Sequence, residues 1–204
     1  MDVNRKIMYH FHKTKKYDDI WVENNKIKID DNFKSDFIEC LKKYSTAVNL
    51  DNNTRETFSA TIDRYLSQDL DKSVYISMLK DASLIIKQIN MLKREAILEH
   101  VREKYYPDLP SRSHSIWLCD KFQTWYWKDL LSDSNNKLTL LKLQVTGKMF
   151  QSSEAFLPKD ESTYEQNIEE AHQYWNPKIE TLEQEYKIEY LFQGRVKVLK
   201  KVID

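Results

Sequence analysis

The sequence predicts an α+β domain, and three features predict it. Segments rich in β-formers open and close the chain, at residues 6–12 and 186–202. Between residues 32 and 106, apolar side chains recur at helical spacing instead. The 204 residues carry 41% hydrophobic and 31% charged side chains, the balance of one ordinary folded domain. Residues 32–106 are therefore read as a helical insertion in a single domain with a β framework.

The elements follow in order. Lys6-Ile-Met-Tyr-His-Phe-His12 reads as a strand, and residues 20–29 as two short strands around Glu23-Asn24-Asn25. After Asp30-Asp31-Asn32, the positions Phe33, Phe37, Ile38, Leu41 and Tyr44 mark a helix. Thr54 is the candidate N-cap of a second, with Phe58, Ile62, Tyr65 and Leu66 on one face. Residues 72–106 contain neither Gly nor Pro, and Met78, Leu79, Ala82, Ile85, Ile86, Ile89, Leu92, Ala96, Leu98 and Val101 keep helical spacing. That stretch is one long helix or two in tandem, stopped by Pro107 and Pro110, which break helical hydrogen bonding and restrict the residue before them.

Residues 115–119 read as a buried strand, Asp120 as the cap of a helix reaching Leu130, and residues 138–145 as another strand. Gly147 permits a turn, residues 151–162 a loop, and residues 163–175 a further helix. At the end, Ile188, Tyr190 and Phe192 alternate on one face, followed by Val196 and Val198. This is a terminal hairpin turning at Gln193-Gly194, or one long bulged strand.

Composition excludes several functions. Gly147 and Gly194 are the only glycines. A phosphate-binding loop or a dinucleotide fingerprint needs more, because only glycine lets the backbone approach phosphate so closely. Lys plus Arg and Asp plus Glu are 32 each, so no global field favours nucleic acid or anionic lipid. Cys40 and Cys119 are too few and too isolated for a zinc knuckle. No apolar run has the length of a signal peptide core or a membrane span, so the expected setting is a reducing cytoplasm without membrane contact.

Several side chains stand out chemically. His10 and His12 lie two apart on a strand, one face of a metal pair, but no third ligand is spaced to join them. The favoured explanation is one core or hydrogen-bonded histidine and one solvated, and no metal is expected. In Pro110-Ser-Arg-Ser-His-Ser115, Arg112 offers a bidentate fork with the Ser113 hydroxyl and free backbone N–H groups beside it, a cradle for an anion. The alternative is a polar loop whose serines cap flanking structure and whose Arg112 makes a surface pair. Trp117, Trp125, Tyr126 and Trp127 either fill a core or form a slot for a flat heterocycle. Glu189, inside Ile188-Glu-Tyr-Leu-Phe192, lines a cleft or faces solvent. The acids of residues 154–170 lack calcium-loop spacing and read as a solvated helix, and Lys13, Lys15 and Lys16 as a solvated turn.

Taken together, Met8-Tyr9-His10, Ser115-Ile-Trp-Leu-Cys-Asp120 and Ile188-Glu-Tyr-Leu-Phe192 resemble the three ordered motifs of the ADP-ribosyltransferase-like fold. The chain is also similar, over most of residues 6–202, to an uncharacterised bacterial family, a domain of unknown function. The residues that carry this similarity are Pro-Ser-Arg ahead of an Ile-Trp-Leu strand and the closing Tyr-Leu-Phe-Gln-Gly-Arg-Val-Lys-Val. The first resemblance implies a split mixed or antiparallel β core and NAD as substrate. It implies that His10 holds the adenosine or nicotinamide side, that Trp117 stacks on nicotinamide opposite Tyr126 or Trp127, and that Glu189 bonds the ribose 2′-hydroxyl and stabilises the oxocarbenium-like transition state. Arg112 is our own addition, as partner for the pyrophosphate.

The match has departures. Trp117 stands where many members have Tyr, and Ser115 where many have Gly. Lys187 occupies the position two before Glu189, where enzymes that modify protein arginine often carry an acid or glutamine, which speaks against that acceptor. Protein, nucleic acid, small molecule and water remain open as acceptors. The competing expectation is a catalytically silent scaffold whose residues 32–106 dock a protein. Its signature would be a contiguous exposed apolar stripe on those helices together with a closed cleft near His10, Trp117 and Glu189.

Overall fold

The computed structural model describes residues 1–13, 20–43, 45–49, 55–132, 138–178 and 187–202. Tyr44, Thr54, Lys15 and Lys16, named above, and residue 186 of the closing segment lie outside them. The chain divides into two compact units, one made of residues 1–38 and 94–204, the other of residues 39–93. The inserted unit is thus shorter at both ends than residues 32–106.

The larger unit is built on an antiparallel sheet. Its strands are β1 (Asp2–Lys13), β2 (Lys26–Ile29), β5 (Ile116–Leu118), β6 (Leu138–Ser153) and β7 (Ile188–Val202). They run in the order β1-β6-β7-β2, with β5 beside β2 along the same edge of β7. One residue past β5, Cys119 exchanges two backbone hydrogen bonds of 2.9 Å with Tyr9 of β1. The sheet therefore curls until its first strand meets the strand attached to its third, which hides edge groups that would otherwise stay unpaired.

Both glycines sit inside this sheet rather than at turns. Gly147 and Gly194 face each other directly in the β6–β7 ladder, at φ +153° and +147°. A Cβ on Gly147 would stand 2.4 Å from the Gln193 carbonyl oxygen, and one on Gly194 2.5 Å from that of Thr146. Close backbone approach at a bend is what demands glycine there. In consequence β6 runs through residues 146–153, where a turn and a loop were expected, and β7 is one strand with a register shift opposite Lys142 and Leu143.

Alternation sorts the sheet's side chains into two cores. Met8, Trp21, Leu141, Leu143, Val145, Ile116, Leu118, Ile188, Tyr190, Phe192, Val196 and Val198 fill one. Leu191 and Phe150 face the other way, against α5 (Tyr164–Trp175) and the end of α3 (Lys72–Tyr105). There Leu98, Val101, Ala171, Tyr174 and Trp175 are almost fully enclosed, and the Trp175 indole donates to the Leu98 carbonyl at 2.8 Å. Thr163 caps α5 with a reciprocal box to Gln166. α4 (Thr124–Leu131) follows a 3-10 turn capped by the Asp120 carboxylate, and residues 20–25 form turns rather than a strand.

The inserted unit is not purely helical. It carries a two-stranded hairpin, β3 (Ala47–Asn49) with β4 (Arg55–Thr57), ahead of α2 (Phe58–Leu66). Thr57 caps α2, accepting from the Ala60 N–H at 3.2 Å. α1 (Asp36–Lys42) starts three residues after Phe33, and α3 is one uninterrupted helix. No helix among the described residues is long and apolar enough to cross a membrane.

Candidate functional site

Four elements of the larger unit bring a buried polar cluster together on the outer face of the β5–β7 pair. Arg112 begins a 3-10 turn, residues 112–114, that Ser111 caps by accepting from the Ser113 N–H at 3.1 Å. Pro110 precedes that cap, and the Arg112 side chain is buried. Its Nε and Nη2 donate to the two oxygens of Glu95, from α3, at 2.6 and 2.9 Å. Its Nη1 donates to Glu189 Oε1 at 2.7 Å and to the Tyr174 hydroxyl, from α5, at 2.5 Å. The Tyr174 hydroxyl in turn donates to the same Glu189 oxygen. No described residue donates to Glu189 Oε2.

One cation between two carboxylates, all nearly sealed from water, is a high-stakes arrangement. Burial alone would lower the Arg112 pKa, but Glu95, Tyr174 and Glu189 outweigh it and hold the guanidinium charged well above its ordinary range. Burial also pushes the Tyr174 hydroxyl well up, so it stays a neutral donor. Arg94 stands 4.0 Å from Glu95 and offers the second carboxylate a more distant cation.

Trp117 borders this cluster. It points to the same face as Glu189 and Leu191, stays half-buried, and has the Arg112 guanidinium 5.3 Å from its ring. Phe37, exposed, meets it edge-on at 5.9 Å. Arg112, Trp117 and Glu189 are thus brought together from three separate segments. Each Arg112 side-chain nitrogen is engaged, the Ser113 N–H serves the Ser111 cap, and the Ser113 carbonyl accepts from the Ser35 N–H at 2.9 Å. The segment therefore combines a capping serine with an arginine that is buried and not a surface pair.

The other candidate residues touch the same strands without entering the cluster. His10 shares the inner face with Met8 and Leu141, opposite to Glu189, and His12 is buried as well, so neither histidine is the solvated one expected of the pair. Its Nδ1 meets the Trp117 carbonyl at 2.8 Å, and its ring packs on Trp21 at 4.9 Å. Burial lowers its pKa to about 4, with the Trp117 bond opposing and His12 adding to the drop, so it is neutral at pH 7. Nδ1 then carries the proton, because a carbonyl can only accept. The Trp127 indole donates to the Ile188 carbonyl at 3.1 Å, and the Tyr126 hydroxyl donates to Glu154. These two rings meet each other edge-on at 5.2 Å, while the ring that meets Trp117 is Phe37. Trp125 is exposed.

Glu95 and Tyr174 were not singled out from sequence. Glu95, in Lys-Arg-Glu-Ala, looks like a solvated helix position, yet it lies three residues before Leu98 on the buried stripe. That spacing was the available signal. A surface hollow of about 530 Å³ is lined by Lys159, Glu161, Ser162, Gln166, Glu169, Glu170 and Gln173, away from the cluster. Among the described residues, no group of three His, Cys, Asp or Glu side chains is placed to hold a metal ion.

The family described as Protein of unknown function (DUF2441) matches residues 8–204. The chain belongs to that family. No curated protein matches it.

Proposed function

We propose that the chain binds NAD and cleaves its nicotinamide–ribose bond in the manner of an ADP-ribosyltransferase, with Glu189 as the catalytic carboxylate. One observation carries the reading. Arg112, Trp117 and Glu189, each picked out for its own chemistry, converge on one face of the β5–β7 pair.

In this reading Tyr174 and Arg112 fix Glu189 through Oε1, leaving Oε2 to accept the ribose 2′-hydroxyl. As the C–N bond breaks, its electron pair leaves with nicotinamide and positive charge grows on the ribose. A carboxylate already aimed at that charge needs no reorganisation, which is where electrostatic catalysis gains most. Trp117 supplies the face on which nicotinamide stacks. Arg112 orients Glu189 rather than gripping the pyrophosphate, because its nitrogens are engaged, and His10 steadies β5 through the Trp117 carbonyl. The acceptor is a protein, a nucleic acid, a small molecule or water.

The test is nicotinamide release from NAD by the purified chain, with and without cell extract as an acceptor source. Release is expected from wild type and loss of at least ~100-fold from Glu189→Gln, the scale of removing a preorganised electrostatic contact. Undiminished release by that variant would remove the assignment.

A second reading, the silent scaffold, is favoured by a different observation. Glu189 is only 5% exposed, while residues 74–92 of α3 present apolar side chains to solvent. It predicts no release, and no shift in melting temperature with NAD.

A further inference from the structure

Between Lys72 and Lys93, α3 carries an apolar face whose side chains are exposed or half-buried among the described residues. Between Lys72 and Lys93 no side chain of the helix is buried, although Leu79 is 71% and Ile86 58% exposed and Ile76, Ile89 and Leu92 are exposed too. Tyr75, Leu79, Ala82, Ile86, Ile89 and Lys93 follow one another at spacings of four and three, the a/d seam of a heptad repeat. Met78, Ile85 and Leu92 widen the seam on one side, at the positions where a selective coiled coil would place charges. The seam is about 27 Å long at 1.5 Å per residue.

We propose that this face is the interface with a second copy of the chain, packed antiparallel about a two-fold axis near Ser83 and Ile85. The seam is complementary to its own reverse. Antiparallel pairing sets Leu79 against Ile89 of the second copy and small Ala82 against large Ile86. It also sets the Tyr75 ring against Lys93, a cation beside an aromatic face. On the flanks Met78 meets Leu92, Ile85 meets Ile85, and Ser83 meets Ser83, with no like charges in contact. Parallel pairing fails on the same residues, since it stacks Lys93 on Lys93 and leaves a gap between two alanines. A face that fits its own reverse, with uncharged flanks that select no other partner, suits an isologous dimer.

The experiment is sedimentation equilibrium of the full chain from low to high micromolar concentration. The mass should rise toward twice that of the chain. Ile86→Glu buries a carboxylate in the seam and should raise the dissociation constant roughly 100-fold or more, with helical circular dichroism retained. Cys40 is exposed, so it is first replaced by Ser. In that background Ser83→Cys should form an intermolecular disulfide under mild oxidation, which only the antiparallel arrangement allows. A chain that stays monomeric throughout overturns the proposal, as does a dimer insensitive to Ile86→Glu. A dimer without the Ser83→Cys cross-link overturns the antiparallel pairing. None of these outcomes depends on whether NAD is cleaved.

Discussion

The two ends of α3 differ in a way their composition conceals. From Arg94 to Tyr105 the helix buries Glu95, Ile97, Leu98 and Val101, whereas from Lys72 to Lys93 it buries nothing, although the apolar period continues. Periodicity reports that a helix has a face and says nothing about what covers it. At one end α5 and the sheet supply the cover, and even a glutamate is enclosed because Arg112 meets it. The other end is covered, on our proposal, by a second copy.

The strongest way to break this comparison is to remove the cation from the enclosed end. Arg112→Leu leaves Glu95 and Glu189 buried without it and should cost about 3–5 kcal/mol, read from the urea midpoint. Lys87→Leu, in the open stretch, should change stability by no more than about 0.5 kcal/mol. An equal loss in both variants would mean that the cluster is not enclosed in solution.

Next in size is a pair of truncations on the one helix. Leu98→Ala should destabilise by about 2–5 kcal/mol through the cavity it leaves. Leu84→Ala, at a position 53% exposed and outside the proposed seam, should stay within about 0.5 kcal/mol. Thermal melts of the two side by side sharpen the boundary near residue 94.

His10 gives a pH signature of the larger unit. Its pKa falls from 6.5 to about 4 on folding, so between those values the unfolded chain binds the proton that the fold refuses. Stability should be complete above pH 6.5 and decline as pH falls toward 4, by at most about 3 kcal/mol. His10→Gln should flatten that slope in a pH series of denaturant melts. A smaller loss is expected in the inserted unit, where Thr57→Ala removes the α2 cap and should cost about 1 kcal/mol of local stability, visible in hydrogen exchange.

The order of strands and helices was largely legible in the sequence, because long helices and capping residues are local. Asp120 and Thr163 announce their turns by type, and the absence of Gly and Pro marks α3. The lengths of β6 and β7 were not legible. Gly147 and Gly194 carry ordinary turn signals, and only their pairing across two strands shows that each admits the other's backbone. β3 and β4 escaped because three residues cannot display an alternation. In the candidate site, Arg112, Trp117 and Glu189 stood out as polar or aromatic side chains in unusual company. Glu95 and Tyr174 did not, since their burial is decided by which elements pack across them. His10 was visible as a strand histidine, but the face it occupies depends on register with Leu141.

The central claim is that the Arg112–Glu189–Trp117 cluster is where NAD is cleaved. The most direct measurement is the rate of nicotinamide release by wild type, Glu189→Gln and Trp117→Ala, each confirmed folded by its melting curve. The account predicts release by wild type, none detectable from Glu189→Gln, and a raised KM for Trp117→Ala from the lost stacking face. Equal rates in all three, or no release from a folded wild-type chain, would contradict it.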